Sequence, residues 1–285
     1  MVWVYIMVYQ IKWLLLAWLL VCFKLSAATA YELPRSMVIE VAEQSSGRIY
    51  PVFIQLPPSY TTQTAQTFPV IYLTDGPYSF PTVAGAMRFP VNNGVIQQAI
   101  IVAIAYEKGA EGSSSRIRDF TPTIDKTWKQ QTGHAKEYLA FIRDTIMPLM
   151  EHRYGASQTD RTFVGHSLGG LLGAFILLTE PDLFSNYILS SPSVWFDDDS
   201  ILKMPFSRPQ KKLKVYLAVG EYETPAYGEG QDMVAAALRL KDKITLNRHP
   251  NIDMKFSIIA GANHATVFPT TAIQGLHWLD GFKRK

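Results

Sequence analysis

The chain has 285 residues, of which 48% are hydrophobic, and it carries 27 basic against 24 acidic residues for a formal net charge of +3 at pH 7. A chain of this length and composition can bury the core of a single α/β domain. The near-balance of charge gives no indication of binding to nucleic acid or to an anionic membrane surface. The one cysteine, Cys22, excludes an internal disulfide framework and a metal site built from several thiolates.

The first thirty residues have the pattern of a secretory signal peptide. Lys12 precedes an apolar stretch from Trp13 to Phe23, and small residues follow at positions 26–30. This order predicts export to the periplasm or the medium, with cleavage before Tyr31 and a single domain over residues 31–285. The apolar stretch alone is too short for a standard membrane span, but an uncleaved anchor formed by Met1 to Phe23 as a whole is the alternative.

The next segments read as strands. Residues 37–42 and 49–56 predict a β-hairpin that turns around residues 45–47. Short, β-branched apolar runs at 69–73 and 99–106 are typical of strands buried in a parallel sheet.

Two long irregular segments, 107–131 and 190–210, are rich in aromatic residues. Long loops in a compact domain are often functional, so we expect these two to form the walls of a substrate pocket. Arg116, Trp128 and Trp195 are the residues predicted to contact the substrate. The alternative is that the arginines of the first loop pair with aspartates as structural ties and that Trp195 only fills the core.

Helical patterns alternate with further strand patterns over the rest of the chain. A break near Asp144 is expected in the first helix, because Pro148 cannot donate a backbone hydrogen bond. The alternation predicts a doubly wound, mostly parallel sheet with an N-terminal antiparallel hairpin, helices on both faces, and reactive loops at the carboxyl ends of the strands. The predicted helices cover residues 132–154, 168–180, 230–247 and 270–282.

Residues 161–170 read RTFVGHSLGG, in which a strand-like run breaks and continues as a helix. In a nucleophile elbow the serine sits on a strained strand-to-helix turn, and small residues are needed two places before and after it. Gly165 and Gly169 meet this requirement. The positive end of the following helix and the backbone N–H of Leu168 would stabilise an oxyanion there. Ser167 is therefore the predicted nucleophile.

A serine nucleophile requires a base and a carboxylate, which in this motif follow in the order serine, acid, histidine. The strand-like run 214–219 leads into Glu221 and Glu223. We choose Glu223 as the acid, with Glu221 as a close rival and Asp197 as a more distant one.

The base is predicted from the next strand. The run 255–259 leads into a short loop that ends at His264. His134, at the start of a helix, is the other contender, whereas the remaining histidines lie in the elbow or beside helical segments.

Together these motifs resemble the putative esterase branch of the α/β-hydrolase superfamily, which includes trilactone siderophore esterases of the enterobactin and salmochelin type. The resemblance implies an α/β-hydrolase fold with Ser167 as nucleophile, His264 as base and Glu223 as acid, and it places Arg116 where an anionic or catecholate ligand could be held. It runs from about Met37 to the C-terminus and rests on segments 71–76, 116–122, 165–169, 181–184, 190–195, 220–223 and 261–264.

One departure from the family pattern concerns the oxyanion hole. Members similar to this chain use the backbone N–H of the residue after an Asp-Gly pair as the second donor. That residue is Pro77 here, which has no N–H. Either Gly76 or Tyr78 replaces it beside Leu168, or the hole is weaker, and the loss of one donor typically costs about 3 kcal/mol in the barrier.

The sequence thus predicts a serine hydrolase that cleaves carboxylic esters through an acyl-enzyme, with no metal or organic cofactor. Its expected partner is a small-molecule ester, with no nucleic acid and no stable membrane partner once the signal is removed. The resemblance suggests a siderophore trilactone as substrate. Acyl transfer by the same triad and a non-catalytic ligand-binding homologue are the alternatives, and the oligomeric state is left open.

Overall fold

A computed structural model describes residues 3, 5–7, 9–13, 28, 30–61, 67–246 and 249–280. The chain divides into two compact units, residues 1–32 and 33–285. In the first unit the described residues up to position 13 are helical and exposed, and most of the expected signal sequence lies outside the described residues. No helix in the described ranges has the length and apolar character needed to span a bilayer.

The described part of the second unit is built on an eight-stranded sheet with the order β1-β2-β4-β3-β5-β6-β7-β8. The first two strands form the predicted antiparallel hairpin, β2 pairs antiparallel with β4, and all other pairs are parallel. The strands are β1 Ser36–Ala42, β2 Ile49–Gln55, β3 Phe68–Leu73, β4 Ile100–Ile104, β5 Ala156–His166, β6 Asn186–Ser190, β7 Leu213–Gly220 and β8 Ile252–Ile259.

Helices cover both faces of this sheet, as the sequence predicts. They are α1 Gly76–Asn92, α2 Ser114–Phe120, α3 Ala135–Phe141, α4 Met147–Tyr154, α5 Leu168–Thr179, α6 Phe196–Lys203, α7 Met233–Leu246 and α8 Val267–Asp280.

Alternate residues of the central strands enter two separate cores. Tyr72 of β3 packs with the core that contains α3, α4 and α5, whereas its neighbours Ile71 and Leu73 pack with α1 and α8 on the opposite face. This alternation follows from the two-residue period of a strand, and burial on both faces explains why these strands are apolar throughout. The α/β prediction is confirmed.

The helix α1 is the largest difference from the sequence-based prediction. Its buried residues follow a helical spacing, but Pro77, Pro81 and Pro90 lie within it and hide that pattern. A proline in the first turn costs no hydrogen bond, since the N–H groups there have no helical acceptor. Only the later two prolines remove bonds, and burial of the Phe80 and Met87 side chains offsets that loss.

The helix predicted over 132–154 is present but not uniform. The structure begins it at Ala135 and inserts a π-helical segment, Ile142–Ile146, before α4. Pro148 has no N–H to donate to the carbonyl of Asp144, so the chain widens by one residue at the position where a break was expected.

The two irregular segments contain short helices, and α2 of the first segment is held to the sheet by a buried charged cluster. Arg118 donates to Asp119 at 2.7 Å, to Glu107 at 2.7 Å and to the Tyr50 hydroxyl at 3.0 Å. Tyr50 and Ser115 in turn donate to Asp119, at 2.9 and 3.1 Å. Arg118 is therefore a structural tie between α2 and β2, which is the alternative that the sequence left open.

Replacement of Arg118 by Met should lower the free energy of unfolding by about 3–5 kcal/mol, because it leaves the Asp119 carboxylate buried without its cation. The side chains of the pair are only 10% and 5% exposed. Urea unfolding measures the loss, and the double variant Arg118→Met/Asp119→Asn should recover part of it. Arg143→Met breaks two more exposed ion pairs, with Asp144 and Glu180, and should cost about 1 kcal/mol or less. Equal losses for the two arginines would contradict the structural role of Arg118.

Candidate active site

Ser167 occupies the turn between β5 and α5 with φ 59° and ψ −119°. This backbone conformation is costly for a residue with a side chain and occurs mainly where a site requires it. A Cβ on Gly165 would collide with the Gly169 carbonyl, and a Cβ on Gly169 would collide with the Thr74 side chain. The glycines predicted around the serine are therefore needed for close packing of strand, turn and helix.

His264 and Glu223 meet at the carboxyl ends of β7 and β8. The parallel register pairs Gly220 with Ile259, the last residues of the two strands, so the loops that follow start side by side. His264 Nδ1 lies 2.6 Å from Glu223 Oε2. Because a carboxylate can only accept, Nδ1 carries the proton, and Nε2 keeps the lone pair that a base requires.

Glu223 is fully buried, and two more donors hold its other oxygen. Oε1 accepts hydrogen bonds from the Ser191 hydroxyl at 2.6 Å and from the Gly220 N–H at 2.7 Å. Burial alone would raise the pKa of this carboxyl, but the hydrogen bonds from His264, Ser191 and Gly220 outweigh it and hold that pKa below its usual value. The group is thus an anion at neutral pH.

The rival residues have other contacts. Glu221 is exposed and accepts a hydrogen bond from the Gly261 N–H at 2.8 Å, and Asp197 lies in a left-handed turn at the start of α6. His134 contacts the Gln131 side chain. In the part of the chain that the structure describes, the carboxylate that reaches His264 is that of Glu223.

The Ser167 hydroxyl lies 3.3 Å from the Ser193 hydroxyl. Among the hydrogen bonds of the described residues, none joins Ser167 to His264. Both side chains nevertheless line the same cavity. Hydrogen bonds between a nucleophile and its base are often long or poorly aligned without substrate and tighten in the reactive complex.

That cavity has a volume of about 600 Å³ and also contains Tyr78, Tyr106, Arg116 and Phe268 in its lining. A second cavity, of about 640 Å³, lies at the opposite edge of the sheet, among the first residues of β6, β7 and β8, and has a separate set of lining residues. Ser167 and His264 line the first of these cavities and not the second.

Arg116 lies in the cavity wall as an anchored cation. Its Nε donates to Asp75 at 2.6 Å, and its Nη2 donates to the His166 carbonyl at 3.2 Å. Asp75 also accepts from the Tyr106 hydroxyl at 2.8 Å, and burial together with the Asp75 charge raises the pKa of Tyr106. No described residue accepts a hydrogen bond from Nη1 of Arg116, which leaves that nitrogen free to bind a ligand.

The two tryptophans predicted to contact substrate lie elsewhere. Trp128 and Trp195 do not line the cavity of Ser167; they stack on each other with ring centroids 6.2 Å apart, and Trp128 also packs against Phe196. Each ring therefore covers an apolar face of the other. The sequence could show that both loops are aromatic, but not that their aromatic residues pair.

The candidate oxyanion donors are partly committed. Leu168 is the first residue of α5, so its N–H lies in the turn where helical acceptors are missing. The Tyr78 N–H already donates to the Asp75 carbonyl at 2.9 Å in the first turn of α1. Within the described residues the Gly76 N–H has no acceptor, so of the two replacements for Pro77 it is the one with a free donor.

His166 is a site residue whose environment the sequence does not reveal. Its ring lies 4.6 Å from that of His264 and 5.7 Å from that of Phe268, and its Nδ1 is 3.2 Å from the Ser190 hydroxyl. Burial and the neighbouring His264 lower the pKa of His166 to about 3, so it is neutral at pH 7. The sequence shows only that His166 directly precedes the predicted nucleophile, which places it in or near the site.

Comparison with known proteins identifies the family. Residues 44–279 match the family described as Putative esterase. Over 271 residues, 88% of this chain and 91% of the relative, the sequence is 32% identical to the ferri-bacillibactin esterase BesA of Bacillus subtilis.

Solved structures give the same result. The BES protein from Bacillus cereus superposes with a TM-score of 0.75 at 28% identity, over 88% of this chain and 97% of that one. An IroE-like serine hydrolase from Shewanella oneidensis gives 0.70 at 25% identity, over 86% and 79%. The chain therefore belongs to the Putative esterase family and is a carboxylic ester hydrolase.

Proposed function

We propose that the protein hydrolyses esters through an acyl-enzyme, with Ser167 as nucleophile, His264 as general base and acid, and Glu223 as the carboxylate that orients the imidazole. The observation that supports this is the 2.6 Å contact between His264 and a fully buried, ionised Glu223, beside a serine held in a strained elbow. A structural ion pair on the surface would require neither a buried carboxylate nor a strained serine turn beside it.

In the first half of the reaction, the Ser167 hydroxyl turns from Ser193 toward His264. Its Oγ attacks the ester carbonyl carbon while His264 Nε2 takes the hydroxyl proton. The carbonyl electron pair moves onto oxygen, where the N–H groups of Leu168 and Gly76 donate to it. Glu223 stabilises the imidazolium that forms.

The tetrahedral intermediate then collapses, and the bond from carbon to the alcohol oxygen breaks. His264 gives its proton to that oxygen, so the alcohol leaves neutral and an acyl-Ser167 ester remains. Water repeats the attack with His264 as base. The second collapse releases the carboxylic acid and restores the Ser167 hydroxyl.

Replacement of Ser167 by Ala should lower the turnover of a p-nitrophenyl ester at least about 10³-fold, since the covalent route is lost. Peptide mass spectrometry should also show that a fluorophosphonate labels Ser167 in the wild type. Ser200→Ala, which removes a hydroxyl bonded to Thr123 outside the cavity, is the matched control. Labelling or full turnover in the Ser167→Ala variant would refute the proposed nucleophile.

The two neighbouring glutamates distinguish a catalytic carboxylate from a loop tether. Glu223→Gln should reduce kcat about 10³- to 10⁴-fold, because a neutral amide neither fixes the Nδ1–H tautomer nor stabilises imidazolium. Glu221→Gln changes only an exposed contact to Gly261 and should leave kcat within about twofold. Steady-state kinetics measures kcat of both variants. A larger loss in Glu221→Gln than in Glu223→Gln would refute Glu223 as the catalytic carboxylate.

For the substrate, we propose a siderophore ester, such as a catecholate trilactone. Support comes from the relatives: BesA is a ferri-bacillibactin esterase, and a siderophore triacetylfusarinine C esterase of Aspergillus fumigatus is 34% identical over 137 residues, 47% of each chain. Arg116 adds a chemical reason, since its free Nη1 could donate a charge-assisted hydrogen bond to a catecholate oxygen in the cavity.

Arg116→Gln should therefore lower kcat/KM for a catecholate trilactone more than for p-nitrophenyl acetate, which has no anionic group to bind. One charge-assisted hydrogen bond corresponds to a difference of about 10- to 100-fold between the two substrates. Equal losses on both would show that Arg116 acts only by pairing with Asp75. A wild-type enzyme that prefers feruloyl or acetyl sugar esters over the trilactone would rule out the siderophore assignment.

We also propose that the protein acts in the periplasm or outside the cell. The support is the order of charged, apolar and small residues in positions 12–30. A siderophore that is secreted or taken up passes through these compartments, so the proposed location and the proposed substrate are compatible.

A further inference from the structure

A short serine-rich turn after β6 contacts both the nucleophile and the acid. The carbonyl of Ser190 accepts from the Ser167 N–H at 2.9 Å, and the Ser193 N–H donates to the Ser167 carbonyl at 3.1 Å. Between them, the hydroxyl of Ser191 donates to Glu223 Oε1 at 2.6 Å. The Ser191 side chain exchanges no proton and forms no bond with substrate in the proposed reaction.

Ser191 has a burial and a backbone conformation that are unusual for a serine. The residue is completely buried, and its φ is +42°, in the left-handed region that favours glycine. Its N–H donates to the Ala218 carbonyl at 2.7 Å, so the backbone is fixed to β7. A glycine would adopt this conformation at lower cost, which indicates that the hydroxyl itself has a use.

We propose that Ser191 is a positioning residue of the esterase site: it fixes one oxygen of Glu223 so that the other is directed at His264 Nδ1. This inference rests on the proposed function. The carboxylate could otherwise turn about its last side-chain bond, and the Gly220 N–H at 2.7 Å would be the remaining tether on Oε1.

The hydroxyl also helps to keep Glu223 ionised. Its hydrogen bond is one of the contributions that hold the pKa of Glu223 below its usual value against the effect of burial. Without that bond the pKa of Glu223 rises. A protonated Glu223 cannot stabilise the charge that forms on the base during the reaction, so the acid limb of the kcat/KM profile should move to higher pH.

The experiment compares Ser191→Ala and Ser191→Gly in the full chain. Both should lower kcat about tenfold or more with little change in KM, the effect of one lost hydrogen bond to a charged group, and both should shift the acid limb to higher pH. Ser191→Gly should melt at a higher temperature than Ser191→Ala, because glycine relieves the backbone cost. If Ser191→Gly is more stable than Ser191→Ala but loses as much kcat, the lost activity results from positioning and not from unfolding.

Ser115→Ala is the matched control. Ser115 is another buried serine that donates to a carboxylate, Asp119, at 3.1 Å, but it lies in the cluster that ties α2 to the sheet. Its replacement should lower the melting temperature and leave the acid limb in the wild-type position.

Wild-type kcat and an unshifted acid limb in Ser191→Gly would overturn the proposal. Failure of the wild type to hydrolyse any ester would instead refute the proposed function. In that case the downfield NMR resonance of the proton between His264 and Glu223 decides the role of Ser191. A resonance that moves or broadens in Ser191→Ala supports positioning, whereas one that is absent from the wild type or unchanged in the variant overturns it.

Discussion

The buried carboxylate of Glu223 is the constraint on which the arrangement of the site depends. A fully buried anion carries a desolvation penalty of several kcal/mol unless donors surround it. Three donors do so here: the His264 ring, the Ser191 hydroxyl and the Gly220 N–H. They follow or end three different strands. The charge is therefore stable only when β6, β7 and β8 are already assembled, which couples the site to the sheet.

The parallel sheet supplies these groups because its strands end at one edge. His166 pairs with Ser190, Ser190 with Ala218, and Gly220 with Ile259, so the segments that follow β5, β6, β7 and β8 leave the sheet in a row. Serine, turn, acid and base are contributed in that spatial order. The chain order serine, acid, histidine is a consequence of the topology rather than a separate requirement.

Most of the fold and of the candidate site follows from local sequence patterns. The elbow, the hairpin and the parallel strands depend on spacing within a few residues, and the sequence predicts them. The choice between Glu221 and Glu223 depends instead on a turn in which the Glu223 N–H returns to the Gly220 carbonyl, at 3.2 Å. The partners of Ser191 and the pairing of Trp128 with Trp195 join residues far apart in the chain, so no local pattern could indicate them.

Backbone strain recurs at the same edge of the sheet. Asp75 after β3, Ser167 after β5 and Ser191 after β6 all have positive φ, at 57°, 59° and 42°. Each such residue costs about 1–3 kcal/mol and persists only where its surroundings fix it. In each case the turn brings a polar side chain to the site: Asp75 to Arg116, Ser167 to the cavity, Ser191 to Glu223. Substitution by glycine would relax the backbone and remove that polar group, so at these three positions stability and site geometry oppose each other.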